Sequence, residues 1–243
     1  MTHPQKTDNL RFRRLIFMAI FIVLLSGCAS SASEIPDTTP TTASTSAPTT
    51  APTAPPLPIT ENLLPEDLSD PREEAITHIV IHFISAVTNH RENPFDAGLI
   101  RQIFLDAEIS SHYLIARDGE IIRLVPEDRV AWHAGPGSWA GDEQYTNKMN
   151  RYAVGVELMG IGTRQEMSQY LSAEEYDRLD PTDIGFTDEQ YQSLARLIAD
   201  IRARHPGVLF DRAHILGHDE YNLSKPDPGE LFDWERIMDD NLR

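Results

Sequence analysis

The hydrophobic and polar positions of the chain predict six regular elements, four strands and two helices. Residues 76–84, Ile-Thr-His-Ile-Val-Ile-His-Phe-Ile, form a nearly continuous apolar run between polar segments, as expected of a strand buried on both faces. Residues 96–107 hold enough Leu, Ile and Ala for a helix. His112 to Arg117 and Glu120 to Val125 read as two strands joined at Asp118-Gly119, a pair of residue types that favours a tight hairpin. Ala153 to Met159 is a further apolar strand, interrupted by one carboxylate, Glu157. Thr187-Asp188-Glu189-Gln190 is a capping-box pattern that opens a helix to Arg204; Tyr191, Leu194, Leu197, Ile198 and Ile201 recur along it at helical spacing and belong in a core. Residues 163–185 are polar and acidic with a breaker at Asp180-Pro181, and read as a surface excursion with a helical turn around 173–179.

The first quarter of the chain changes the picture. Arg11, Arg13 and Arg14 precede an apolar run from Leu15 to Leu25, then Ser26-Gly27-Cys28. This is the layout of a secretory signal, and the run is shorter than the ~20 residues a spanning helix needs. Leu25-Ser26-Gly27-Cys28 resembles the bacterial lipobox, which implies cleavage before Cys28 and a lipid anchor on its thiol. Residues 29–60 are rich in Thr, Ser, Ala and Pro and read as a tether without core-forming residues. One folded domain, 61–243, is expected beyond it. Cys28 is the only cysteine, so the domain can form no internal disulfide, and a metal within it must be held by His and carboxylates. The net charge is −17; removing residues 1–27 takes away four basic residues and one acidic residue, leaving −20. A chain this acidic repels phosphate backbones, which argues against nucleic acid as a partner.

Candidate chemistry gathers at strand and loop ends. His82 sits near the end of the first strand, where an imidazole is either a hydrogen-bonded core residue or a ligand. Glu157 either faces solvent from a one-sided strand or is buried, and burial would raise its pKa towards the range useful to a general base. Near the C-terminus, Gly217 to Gly229 places His218, Lys225 and Asp227 in one segment, with Pro226 and Pro228 on either side of the aspartate. A residue before proline is pushed to extended backbone, so Lys225 and Asp227, two apart, should face one site together. Trp132-His133-Ala134-Gly135 lies in a Gly- and Pro-rich loop, read as a binding wall in preference to a packed crossing.

Two imidazoles and a carboxylate with a fourth position open form a catalytic zinc arrangement. Taken together and in order, Ile79-Val80-Ile81-His82, Ser111 to Ile115 with Asp118-Gly119, Ala131 to Gly135, Gly155 to Leu158, Phe186 to Tyr191, Gly217-His218 and Lys225 to Gly229 followed by Phe232-Asp233-Trp234 carry a family resemblance. The chain resembles the zinc-dependent N-acetylmuramoyl-L-alanine amidases of the AmpD-like, amidase_2 type, which are related to peptidoglycan-recognition proteins. The resemblance covers about Ile76 to Trp234. It implies an α/β fold, a central mixed β-sheet flanked by helices in a single catalytic domain. It also implies one Zn2+ per chain on His82, His218 and Asp227, with Glu157 as base and Lys225 as partner of the developing oxyanion. Trp132 and His133 match a motif near the substrate groove. The partner so implied is peptidoglycan or a muropeptide, cleaved between muramic acid and L-alanine by a monomer. With the anchor at Cys28 and Ala29 after it, the expected location is the cell envelope, on the periplasmic face of an outer membrane. The alternative is a non-catalytic peptidoglycan-binding receptor of the same fold. Phe83 after the first ligand, Pro226 between Lys225 and Asp227, and a short His218 to Lys225 loop depart from the family pattern and bear on groove shape.

Overall fold

The computed structural model describes residues 56–238. The signal-like run, Cys28 and the tether to residue 55 lie outside the described residues. In chain order the strands and α-helices are β1 (Thr60–Glu61), β2 (Ser69–Pro71), β3 (His78–Ile84), α1 (Ala97–Ala107), β4 (Tyr113–Ile115), β5 (Ile121–Arg123), β6 (Arg129–Ala131), α2 (Met149–Tyr152) and β7 (Ala153–Met159). There follow α3 (Arg164–Met167), α4 (Ala173–Tyr176), α5 (Asp188–Arg204), β8 (Ile215–Gly217), α6 (His218–Tyr221) and α7 (Glu235–Met238). Six strands form one sheet in the order β1-β5-β4-β7-β3-β8, while β2 and β6 pair separately. Only β4 and β5 run antiparallel within the large sheet, so it is mixed, as expected. Their connection is the Asp118-Gly119 turn. Asp118 accepts the Glu120 N–H at 3.1 Å, and Gly119 takes φ +85°, a value few side chains tolerate.

The pleat sorts the central strands onto two faces. Ile79 and Ile81 of β3, Val154, Val156 and Leu158 of β7, and Tyr113 and Ile115 of β4 pack with Tyr191, Leu194, Leu197, Ile198 and Ile201 of α5. This is the main core, and the helical stripe read from the sequence supplies one side of it. The capping box of α5 forms at Thr187 and Gln190, and the buried Gln190 amide also donates to the Ile115 and Met159 carbonyls at 3.1 and 2.9 Å. One cap thus fixes the helix start to two strand ends. The opposite face carries two separate apolar clusters. Leu114, Ile122 and Met159 pack with Ile100 and Phe104 of α1, whereas Val80, Ala153 and Leu216 pack with Ala134, Met149 and Tyr221.

Two expectations are corrected. The folded part begins before residue 61, because Leu57 and Ile59 pack on the main core and Thr60 and Glu61 pair with β5. Their alternating apolar positions were masked by the prolines around them. The 163–185 segment does form a turn of helix at α4, but it is more than a surface excursion. Met167 and Leu171 are buried with Val87 and Ile161.

Candidate active site

The site is built at a register position of the sheet. His82 of β3 stands opposite Glu157 of β7, and Glu157 stands opposite Leu114 of β4. Neighbouring residues of paired strands project to the same face, so His82 and Glu157 share the face that α5 leaves open. Strand β8 runs beside β3 and ends at Gly217, which delivers His218 at the start of α6. Asp227 returns in the loop after α6, tied there by a 2.7 Å hydrogen bond from the Asp219 N–H to its carbonyl. Both histidines and Asp227 are buried.

Three of their atoms converge. His82 Nδ1 and His218 Nδ1 each lie 2.9 Å from Asp227 Oδ2 and 3.1 Å from one another. His218 Nε2 lies 3.0 Å from the Ala134 carbonyl. A carbonyl can only accept, so Nε2 carries the hydrogen and Nδ1 presents a bare lone pair. Two imidazole nitrogens and an anionic oxygen at this spacing repel unless a proton or cation lies among them. Neutral imidazole and carboxylate donors, two N and one O, suit zinc. His82, His218 and Asp227 form a His/His/Asp group able to hold a metal ion, and the donor set fits it. Burial, then repulsion from His218, pushes His82 down to about 4, which favours the neutral ligand form. Burial opposes ionisation of Asp227, yet the positive charge that the two histidine nitrogens at its Oδ2 require, a proton or a metal ion, holds its pKa well below the usual carboxylate range.

Glu157 is 7% exposed, so the solvent-facing alternative falls away. Burial raises its pKa well above the ordinary value; Asp227 adds to the rise and Lys225 opposes it. Among the described residues its carboxylate has no hydrogen-bond partner, which leaves it open to one from outside the protein. Lys225 is solvent-exposed, and its charge acts on both Glu157 and His82.

The two residues of the Trp132-His133 loop part company. His133 is buried, with Nδ1 3.0 Å from His82 Nε2, and its ring lies against Gly155, where a Cβ would fall 2.5 Å from His133 Cγ. It therefore sits behind His82 and not on an open wall. Trp132 turns towards β2, donating from Nε1 to Asp70 Oδ2 at 2.9 Å, and is not brought to the metal-type cluster. Sequence reasoning missed Asn150 altogether. Its Oδ1 accepts the N–H groups of His133 at 3.1 Å and Ala134 at 2.8 Å. No pattern in the sequence marks a side chain that acts on backbone, and an asparagine just ahead of a strand reads as an ordinary loop residue.

A cleft of about 440 Å³ opens beside Asp227. Its walls include Phe83 near the end of β3 and Asn89 after it, Gln102 and Asp106 on α1, and Met167 and Tyr170 from the excursion. Phe83, the departure noted after the first ligand, thus lines the cleft next to the site.

The fold and site define the class, a mixed-sheet domain with an amidase-type centre of two histidines, an aspartate and a buried glutamate. The family model of N-acetylmuramoyl-L-alanine amidases matches residues 72–230, and the chain belongs to that family. It is 33% identical over 148 residues to the 1,6-anhydro-N-acetylmuramyl-L-alanine amidase AmpD of Citrobacter freundii, a match spanning 60% of this chain and 61% of the relative. It is 32% identical over 181 residues to the AmpD of Salmonella typhimurium strain SL1344, spanning 69% and 81%. A crystal structure of a selenomethionine derivative of AmpD superposes with a TM-score of 0.51 at 28% identity, covering 73% of this chain and 92% of that one. The function is that of the family, hydrolysis of the amide between N-acetylmuramic acid and L-alanine in peptidoglycan or muropeptides.

Proposed function

We propose that this hydrolysis depends on one zinc ion held by His82 Nδ1, His218 Nδ1 and an Asp227 oxygen. The observation that carries the reading is the convergence of these three atoms within 2.9–3.1 Å beside a buried, unpartnered Glu157. When bound there, zinc supplies Lewis-acid activation of a water and of the substrate carbonyl. Glu157 accepts a proton from the attacking water as its oxygen bonds to the lactyl carbonyl carbon. Lys225 faces the negative charge that develops on the carbonyl oxygen. Glu157 then returns the proton to the nitrogen of L-alanine as the C–N bond breaks, so it ends the cycle as it began. The cleft beside Asp227 takes the substrate arms, with Tyr170 and Phe83 as apolar walls. The relatives named above are amidases of the 1,6-anhydro sugar, which makes anhydro-muropeptides the first substrates to test. The chain acts as a monomer.

The same proposal sets the domain at the cell envelope. The lipobox-like run supports a lipid on Cys28, and Ala29 after it favours the periplasmic face of an outer membrane. A Cys28→Ser chain should fail to take up labelled lipid and should leave the membrane fraction; lipid uptake without Cys28 would refute the anchor.

Mass spectrometry of products tests the activity. The zinc-loaded protein, incubated with intact sacculi and separately with soluble muropeptides, should release stem peptides that begin at L-alanine. Muropeptide binding without release from either substrate would favour the receptor alternative.

A further inference from the structure

We propose that the dipeptide His133-Ala134 is a clamp that fixes both histidine ligands from behind, with His133 as a positioning residue for His82 and Asn150 as the lock on the clamp. The inference rests on the zinc reading above. Coordination through Nδ1 requires the hydrogen of His82 to sit on Nε2, the atom 3.0 Å from His133 Nδ1. His133 Nδ1 then accepts that hydrogen, just as the next residue's carbonyl accepts the one on His218 Nε2 at 3.0 Å. One short stretch of chain therefore sets the tautomer and ring orientation of both imidazole ligands. Outer partners of this kind fix ligand geometry and raise ligand basicity.

Three further observations separate this from ordinary packing. The Asn150 amide oxygen gathers the N–H groups of both clamp residues, which fixes the acceptor positions through the backbone. Gly155 leaves room for the His133 ring directly on strand β7, where any side chain would displace it. His133 Nε2 is buried and finds no protein partner. A buried donor left unpaired works against stability, so the ring is held for what its other nitrogen does. The departure of Trp132 towards Asp70 fits the same picture, since the loop turns its first residue outward and its next two inward.

The test uses the full chain. His133→Asn keeps an acceptor oxygen near the Nδ1 position, while His133→Leu has nearly the same outline and no acceptor. Zinc affinity is read by competition with a chromophoric chelator, and the ligand field by the visible spectrum of the cobalt(II)-substituted protein. His133→Leu should bind zinc about 10–100-fold more weakly than the wild type, with altered cobalt bands, and His133→Asn should recover most of the affinity and the spectrum. Both variants lose the same ring packing on Gly155, so equal weakening overturns the clamp, as does wild-type affinity in His133→Leu. A wild type that binds no zinc overturns the metal reading itself, a different outcome. Should His133→Leu not fold, nuclear magnetic resonance of the zinc-loaded wild type decides. A slowly exchanging proton on His82 Nε2 supports the clamp, and a bare Nε2 overturns it.

Discussion

His82 and Glu157 are register partners in the parallel pair of β3 and β7, and both project from the face that α5 leaves uncovered. The proposed metal ligand and the proposed proton acceptor thus stand on adjacent rigid strands, where their separation is set by sheet geometry and not by loop conformation. The other two residues of the metal-type cluster arrive from a strand end and a proline-bracketed loop, so the site depends on that sheet position being occupied as it is.

Gly155 shows how tightly the position is built. A methyl group there would fall 2.5 Å from His133 Cγ, and neither the strand nor the buried ring has room to yield. Gly155→Ala should destabilise the fold by about 1–3 kcal/mol and weaken zinc binding as well. Thermal unfolding and chelator competition check this, and an unchanged midpoint would show that the ring moves freely.

The ordered start of the domain gives a second expectation. Leu57 and Ile59 pack on the main core, and partial burial of two such side chains is worth about 1–3 kcal/mol in all. A chain shortened to begin at Thr60 should therefore unfold several degrees below one beginning at Pro55. Equal midpoints would mean that those two residues add nothing to the core.

Much of this was legible in the sequence. The strand at 76–84, the Asp118-Gly119 hairpin, the Glu157 strand and the capped helix to Arg204 each declare themselves by periodicity or turn chemistry, and all four form. The residues of the metal-type cluster came through too, because His82, His218 and Asp227 lie in compact motifs. The Trp132-His133 motif predicts a binding wall, whereas His133 sits behind His82, since a motif gives residue type but not the direction in which a buried ring points. Ala134 and Asn150 act through a backbone carbonyl and on backbone N–H groups, and such contacts leave no mark on residue pattern. The excursion's role as a cleft wall was hidden because its polar composition conceals the buried Met167 and Leu171.

Acid lability follows from two histidines outside the metal-type cluster. Burial, then His214, pushes His78 down to about 4, and burial, then Arg72, pushes His112 down to about 3. The folded state keeps both neutral, while the unfolded chain takes up protons below pH about 6.5. Stability is therefore full above that pH and is lost as pH falls from about 6.5 towards 4; His112 alone sets a slope of at most about 1.4 kcal/mol per pH unit. His78→Leu should flatten the stability profile across this window in urea titrations at a series of pH values. A slope equal to that of the wild type would show that His78 is not neutral in the fold.

The central claim is that Glu157 moves the proton at a metal centre formed by His82, His218 and Asp227. Glu157→Gln keeps the outline and hydrogen-bonding capacity of the side chain but cannot take a proton from water at neutral pH. The decisive measurement is stem-peptide release from an anhydro-muropeptide by the wild type and Glu157→Gln, each with zinc content determined on the same sample. Both should hold one zinc per chain, and release by Glu157→Gln should be slower by about 10²–10⁴-fold. Equal rates at equal zinc content would place the proton transfer on another residue and contradict the account.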